Sequence, residues 1–199
     1  MENFSKLLIA AGILGISSLA QASDSNFVGL SYGKTSDNIS KSSALNSNLG
    51  RPDADAVIAR EGTWGIRAGQ QNDAGRYYAT YDYTSGSHDG IKLRQQNLLG
   101  SYDVFMPVAQ QTKLFGGVSG GITRLTQKSA GFSRNSDTGY AVGFQGGVLQ
   151  QVAQNTQVEA GYRYLRSNAG TEMSINGSKQ GSLSLKSAGQ LYVSANYGF

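Results

Sequence analysis

The chain has 199 residues, with 17 Lys and Arg against 13 Asp and Glu, a net charge of +4, 27 Gly, 2 Pro, 11 Tyr, one His and no Cys. The lack of Cys excludes a disulfide scaffold, a thiol nucleophile and thiolate zinc sites, and the single His88 leaves little room for a His-rich metal centre; no cofactor and no metal are expected. Charged residues make up 15%, well under the roughly 25% of soluble domains, and the many Gly and Tyr with few Pro suit short strands.

Residues 1–22 read as a secretory signal. Lys6 starts it, the apolar run Leu7 to Leu19 follows, and Ala20-Gln21-Ala22 supplies a cleavage site. The run is too short for a spanning helix. Residues 23–199 are expected to form one domain.

From there the sequence alternates with a period of two. Val28, Leu30 and Tyr32 share a face, as do Trp64, Ile66 and Ala68, then Tyr77, Ala79, Tyr81 and Tyr83, then Leu98, Gly100, Tyr102 and Val104. The pattern continues through Leu114–Ile122, Tyr140–Val148, Val158–Tyr164 and Leu191–Phe199, which makes eight predicted strands. Short turns fall at Asn72 to Gly75, Pro107 to Gln111 and Ala153 to Asn155; longer polar stretches cover 35–61, 86–92, 125–137 and 169–186.

A soluble sandwich would bury the apolar face, whereas a membrane barrel turns it outward and fills its interior with small and polar residues. Several features favour the barrel. Lipid has no water to pair with backbone groups, so a spanning sheet must close on itself. The strands are long enough to cross when tilted. Tyr32, Trp64, Tyr77, Tyr83, Tyr102, Tyr140, Tyr164 and Tyr197 lie near strand ends, where interfacial aromatics belong. The expected fold is therefore all-β, an eight-stranded antiparallel up-and-down transmembrane β-barrel.

Alternation sends Arg67, Asp82, Asp103, Glu159 and Arg163 into the lumen. Buried charges need partners, so the two arginines should pair with some of the three carboxylates. Glu159 and Arg163 stand four apart on one strand face, a spacing open to an ion gate or an acid–base pair, but eight strands leave room only for side chains, which favours a plug. Ser87-His88-Asp89 places three triad residue types side by side; triads are assembled from distant positions, so a solvated turn is the better reading. Gly116-Gly117-Val118-Ser119-Gly120-Gly121 lacks the Lys-Ser/Thr of a phosphate loop. Its glycines are expected to make space for a neighbouring ring, with Phe144 or Tyr102 as candidates, or to let the strand bend. Lys34, Arg60, Arg94 and Lys186 lie near strand tops beside aromatics, where they could meet lipopolysaccharide phosphates.

The alternating end Leu191-Tyr192-Val193-Ser194-Ala195-Asn196-Tyr197-Gly198-Phe199, the stretch Asn97 to Val104 and the Gly-rich strand after Pro107 resemble the small bacterial outer-membrane barrels of the OmpA/OmpX and opacity-protein type. The resemblance implies a bacterial outer-membrane location with extracellular loops and periplasmic termini, and Phe199 as a signal to the barrel-assembly machinery. It also implies a structural or adhesin-like surface role through the loops, with 35–61 and 169–186 carrying any binding. Lipid, lipopolysaccharide and a host or surface ligand are the expected partners; nucleic acid is not, and a monomer is expected. A narrow channel for ions or small solutes is the main alternative. A lipid-modifying barrel enzyme and a soluble lipocalin-like carrier follow it.

Overall fold

The computed structural model describes residues 25–41, 59–88, 91–129, 135–175 and 178–199. The expected signal at 1–22 lies outside them. Among the described residues there are nine strands and no helix: β1 (Ser25–Lys41), β2 (Ala59–Gln71), β3 (Gly75–His88), β4 (Ile91–Ala109), β5 (Thr112–Ser129), β6 (Asn135–Ala153), β7 (Thr156–Ser167), β8 (Gly170–Ile175) and β9 (Ser178–Gly198). Every neighbouring pair is antiparallel, and β1 pairs with both β2 and β9, which closes the sheet. Eight strands form the barrel. The short β8 pairs only with β9, beyond the end of β7.

The stagger of the barrel follows from the register. From Leu30 one path runs through Ile66, Tyr81, Leu98 and Ile122 to Tyr140. The other runs through Ala195 and Val158 to Gln150. Both end on β6, ten residues apart (150 − 140). Eight strands with such a stagger tilt by about 35–45° and enclose an interior filled by side chains.

Two strand ends are fixed by local chemistry. At the β2–β3 turn, Asn72 Oδ1 accepts the backbone N–H groups of Ala74 and Gly75 at 2.9 and 3.0 Å, an Asx-type turn. At the closing seam, Asn26 N–H donates to the Phe199 carbonyl at 3.1 Å, and Phe199 N–H donates back to Asn26 at 2.9 Å.

The outward face carries the apolar set: Leu30, Trp64, Val118, Phe144 and Leu191 are all more than half exposed. The lumen is more apolar than small-residue packing implies. Phe27, Leu99, Phe115, Leu149 and Leu165 are buried in it beside Tyr78 and Tyr192. Inward glycines accommodate these rings. A Cβ on Gly161 would come within 2.8 Å of the Tyr192 hydroxyl and 3.0 Å of Phe115. This corrects the expectation for the Gly-rich β5: outward Gly116 faces nothing within 4 Å, and outward Gly120 meets only Val142, at 4.0 Å. Neither Phe144 nor Tyr102 sits over them.

The polar connections are shorter than the alternation implies. Strand continues to Lys41 and resumes at Ala59, runs through most of 86–92 and 125–137, and takes up 170–175 and 178–186 as β8 and the start of β9. Past the apolar band both strand faces are polar, so the periodic signal fades while the hydrogen-bonded ladder persists. Residues 42–58 and Asp89 lie outside the described residues, as does the side chain of His88.

Candidate functional site

The inward faces of β2, β3, β4 and β7 bring six charged side chains together at mid-lumen. Arg67 donates through Nη1 to Glu159 Oε1 at 2.5 Å. Arg76 donates through Nη1 to Glu159 Oε2 at 2.5 Å and through Nε to Asp103 Oδ2 at 2.8 Å. Arg163 donates through Nη1 to Asp82 Oδ2 at 2.7 Å. All six side chains are essentially inaccessible to solvent, and three guanidiniums balance three carboxylates.

Neutral groups extend the network. Asn196 Nδ2 donates to Glu159 Oε2 at 3.1 Å, and Gln145 Nε2 donates to Asp103 Oδ1 at 2.7 Å. Ser119 Oγ donates to Gln145 Oε1 at 2.6 Å. Aromatic faces take up the cationic planes: Arg76 lies 4.9 Å from the ring centres of both Tyr78 and Phe115, and Arg67 lies 5.2 Å from that of Tyr192. Such contacts contribute about 2 kcal/mol or more when desolvated.

Arg67, Asp82, Asp103, Glu159 and Arg163 are thus all in the lumen, but Glu159 and Arg163 pair across the barrel rather than with each other. Arg76 was not among the expected charges. It occupies the second position of β3, immediately after a turn, where alternation is only beginning. Its parity with Tyr78, Thr80 and Asp82 was the available signal. Among the described residues, ion pairs and rings fill this layer of the lumen, and each of its three carboxylates accepts from a guanidinium.

Toward the loop end the lumen becomes neutral and polar. Thr63 Oγ1 sits 2.6 Å from Thr35 Oγ1 and 2.7 Å from Thr84 Oγ1. Thr123 donates to Asn97 Oδ1 at 2.8 Å.

The outer wall is banded. Tyr32, Trp64, Tyr83, Tyr140 and Tyr164 lie on its loop half, with Tyr32 and Trp64 in ring contact at 4.6 Å. Tyr77, Tyr102 and Tyr197 lie on the turn half, where Tyr77 and Tyr102 are cross-strand partners. Just past the apolar residues on the loop side come five exposed cations on five strands: Lys34 on β1, Arg94 on β4, Arg124 on β5, Arg166 on β7 and Lys186 on β9. Arg124 and Arg166 join Lys34, Arg94 and Lys186 only through the fold. The side chain of Arg60 lies outside the described set. At the turn end, among the described side chains, the exposed rim carries one cation, Lys113, paired with Asp73 at 3.1 Å.

Comparison with solved structures gives a consistent family picture. The chain is 57% identical to outer membrane protein H (OprH) from P. aeruginosa, with 88% of this chain and 99% of that one covered and a TM-score of 0.57. It is similar in fold to Neisserial surface protein A (NspA), at 16% identity and a TM-score of 0.62 over 89% of this chain and 98% of that one. It is also similar to Ail of Yersinia pestis, solved with the heparin analogue sucrose octasulfate, at 12% identity and a TM-score of 0.53 over 89% and 100%. No family model and no curated protein matches the chain.

Proposed function

Because the chain belongs to the outer membrane protein H (OprH) family of small outer-membrane barrels, we propose that it is a non-enzymatic, monomeric structural protein of the outer membrane that ties neighbouring lipopolysaccharide together at its outer rim. The observation that carries this reading is the one-sided ring of cations. Lys34, Arg94, Arg124, Arg166 and Lys186 follow the apolar band at the loop end, and among the described side chains the exposed rim of the turn end has only the paired Lys113. A leaflet whose headgroups carry phosphate meets such a ring at about 1 kcal/mol per cation near the surface. The same asymmetry supports loops outside the cell and termini in the periplasm.

The plugged lumen favours this role over a channel, since a solute would have to displace ion pairs at 2.5–2.8 Å. Closure of β1 on β9 leaves no free barrel edge and supports a monomer. Phe199, exposed at the last position, is free to serve as the assembly signal before the seam with Asn26 closes.

The test is binding of purified lipid A, with two phosphates or none, to the bilayer-reconstituted protein. Native protein should prefer the phosphorylated form, and replacing all five rim cations by alanine should remove the preference. Equal binding of the two forms by the native protein would overturn the reading.

A further inference from the structure

The loop-end mouth of the lumen holds a carboxyl that the ion network does not use. Asp37 lies on β1 past Tyr32, where the outward side chains have become Lys34, Ser36 and Asn38, so it stands beyond the apolar band. It is nevertheless only 7% exposed. One end of the Gln95 amide, on β4, lies 2.7 and 3.2 Å from its two oxygens. β1 and β4 are not neighbours in the sheet, so this contact crosses the mouth. The other end of the amide is 3.2 Å from Asn97 Oδ1, which also accepts from Thr123.

We propose that Asp37 and Gln95 form a proton-dependent latch across the loop-end mouth of the lumen, closed while the Asp37 carboxyl carries its proton. The hydrogen-bond polarity of the chain depends on that proton. With it, Asp37 O–H donates to Gln95 Oε1, Gln95 Nε2 donates to Asn97 Oδ1, and the Thr123 hydroxyl donates to the same oxygen. Each of these three donors then meets an acceptor. Without it, the Gln95 amide must turn so that Nε2 faces the carboxylate. Its oxygen then meets Asn97 Oδ1, Asn97 must turn in its place, and Thr123 loses its acceptor. Among the described side chains no cation stands beside the buried anion that remains, which is the costlier arrangement.

The charged groups on the surrounding strands do not relieve it. Lys34, Arg94 and Lys186 are exposed on the outer wall. On β2, Glu61 is half-buried, pairs in register with Thr35, and adds charge of the same sign. On β3 and β7, Asp82 and Arg163 are taken up by each other. Burial accordingly pushes the Asp37 carboxyl up to about 8, from 3.8. Because the folded value lies above the unfolded one, the stabilising contribution is complete below about 3.8 and is lost as pH rises through about 8. Between those two values mouth opening should increase by up to about tenfold per pH unit, and it should level off above about 8.

The experiment uses the full chain in lipid bilayers. Infrared spectra should show a protonated-carboxyl band at pH 7 that fades near pH 8 and is missing from Asp37→Asn. Amide hydrogen exchange at 35–38 and 94–97, corrected for base catalysis, should rise about tenfold between pH 7 and 9 and level off above about 8. The rise should vanish in Asp37→Asn, whose amide cannot ionise, and persist in Glu61→Gln. Absence of the band in the native protein at pH 7 overturns the latch, as does an exchange step that survives in Asp37→Asn or disappears in Glu61→Gln. The infrared result on the native chain decides even if a variant fails to fold. None of these outcomes touches the rim cations, so the latch and the lipopolysaccharide reading fail independently.

Discussion

At mid-lumen three carboxylates face three guanidiniums, while at the loop-end mouth a single carboxyl faces an amide. Both sites are buried, and both must place a titratable group where water is scarce. The middle does so by exact charge balance, with Glu159 holding two arginines and Asp103 sharing one of them. The mouth does so by keeping one proton. The first arrangement fills the middle of the barrel with paired charges, whereas the second depends on pH and governs how tightly the loop ends are drawn together.

The sharpest way to break this contrast is to remove one partner at each place. Glu159→Ala strands Arg67 and Arg76 in a dry interior, and breaking a buried pair in this manner costs about 3–5 kcal/mol. Urea-induced unfolding in lipid vesicles should register that loss, whereas Asp37→Asn, which keeps the latch geometry without an ionisable group, should leave stability at neutral pH undiminished or raise it. Similar losses at the two positions would mean that the mouth is held by charge after all.

A second pair of substitutions separates inside from outside. Gly161→Ala drives a methyl toward Tyr192 and Phe115, an overpacking that costs about 1–3 kcal/mol. Gly116→Ala enters open space on the outer wall and should be neutral or gain about 0.5–1 kcal/mol by lowering the backbone entropy of the unfolded chain. The same unfolding assay reads both.

The smallest effects are expected at the rim. Replacing Arg166 or Arg124 alone should weaken binding of phosphorylated lipid A by the equivalent of about 1 kcal/mol each, with no change in urea stability. Lipid-binding titrations at two salt concentrations would show the difference shrinking as salt rises.

Much of this was legible in the sequence because a strand flanked by lipid on one side and a narrow lumen on the other has only one workable alternation. Leu191, Val193 and Tyr197 on one parity and Tyr192, Ser194 and Asn196 on the other declare the wall directly. Ion-pair partners were not legible. Arg67 meets Glu159 from 92 positions away, and only closure with its ten-residue stagger brings them level. Arg76 escaped notice because it directly follows a turn, and Asp37 because it lies in a stretch where neither face is apolar. Phe115 reads as a lumen residue by parity, but its bulk makes sense only once Gly147 and Gly161 are seen beneath its ring.

The central claim is that the apolar side chains face lipid while the charged ones fill a closed interior. Trp64, the single tryptophan of the chain and 65% exposed on the outer wall, reports on it without any substitution. In bilayers containing brominated acyl chains its fluorescence should be strongly quenched, while acrylamide in the aqueous phase should have little effect. Efficient quenching by acrylamide, with none by brominated lipid, would contradict the outward-facing wall and the account built on it.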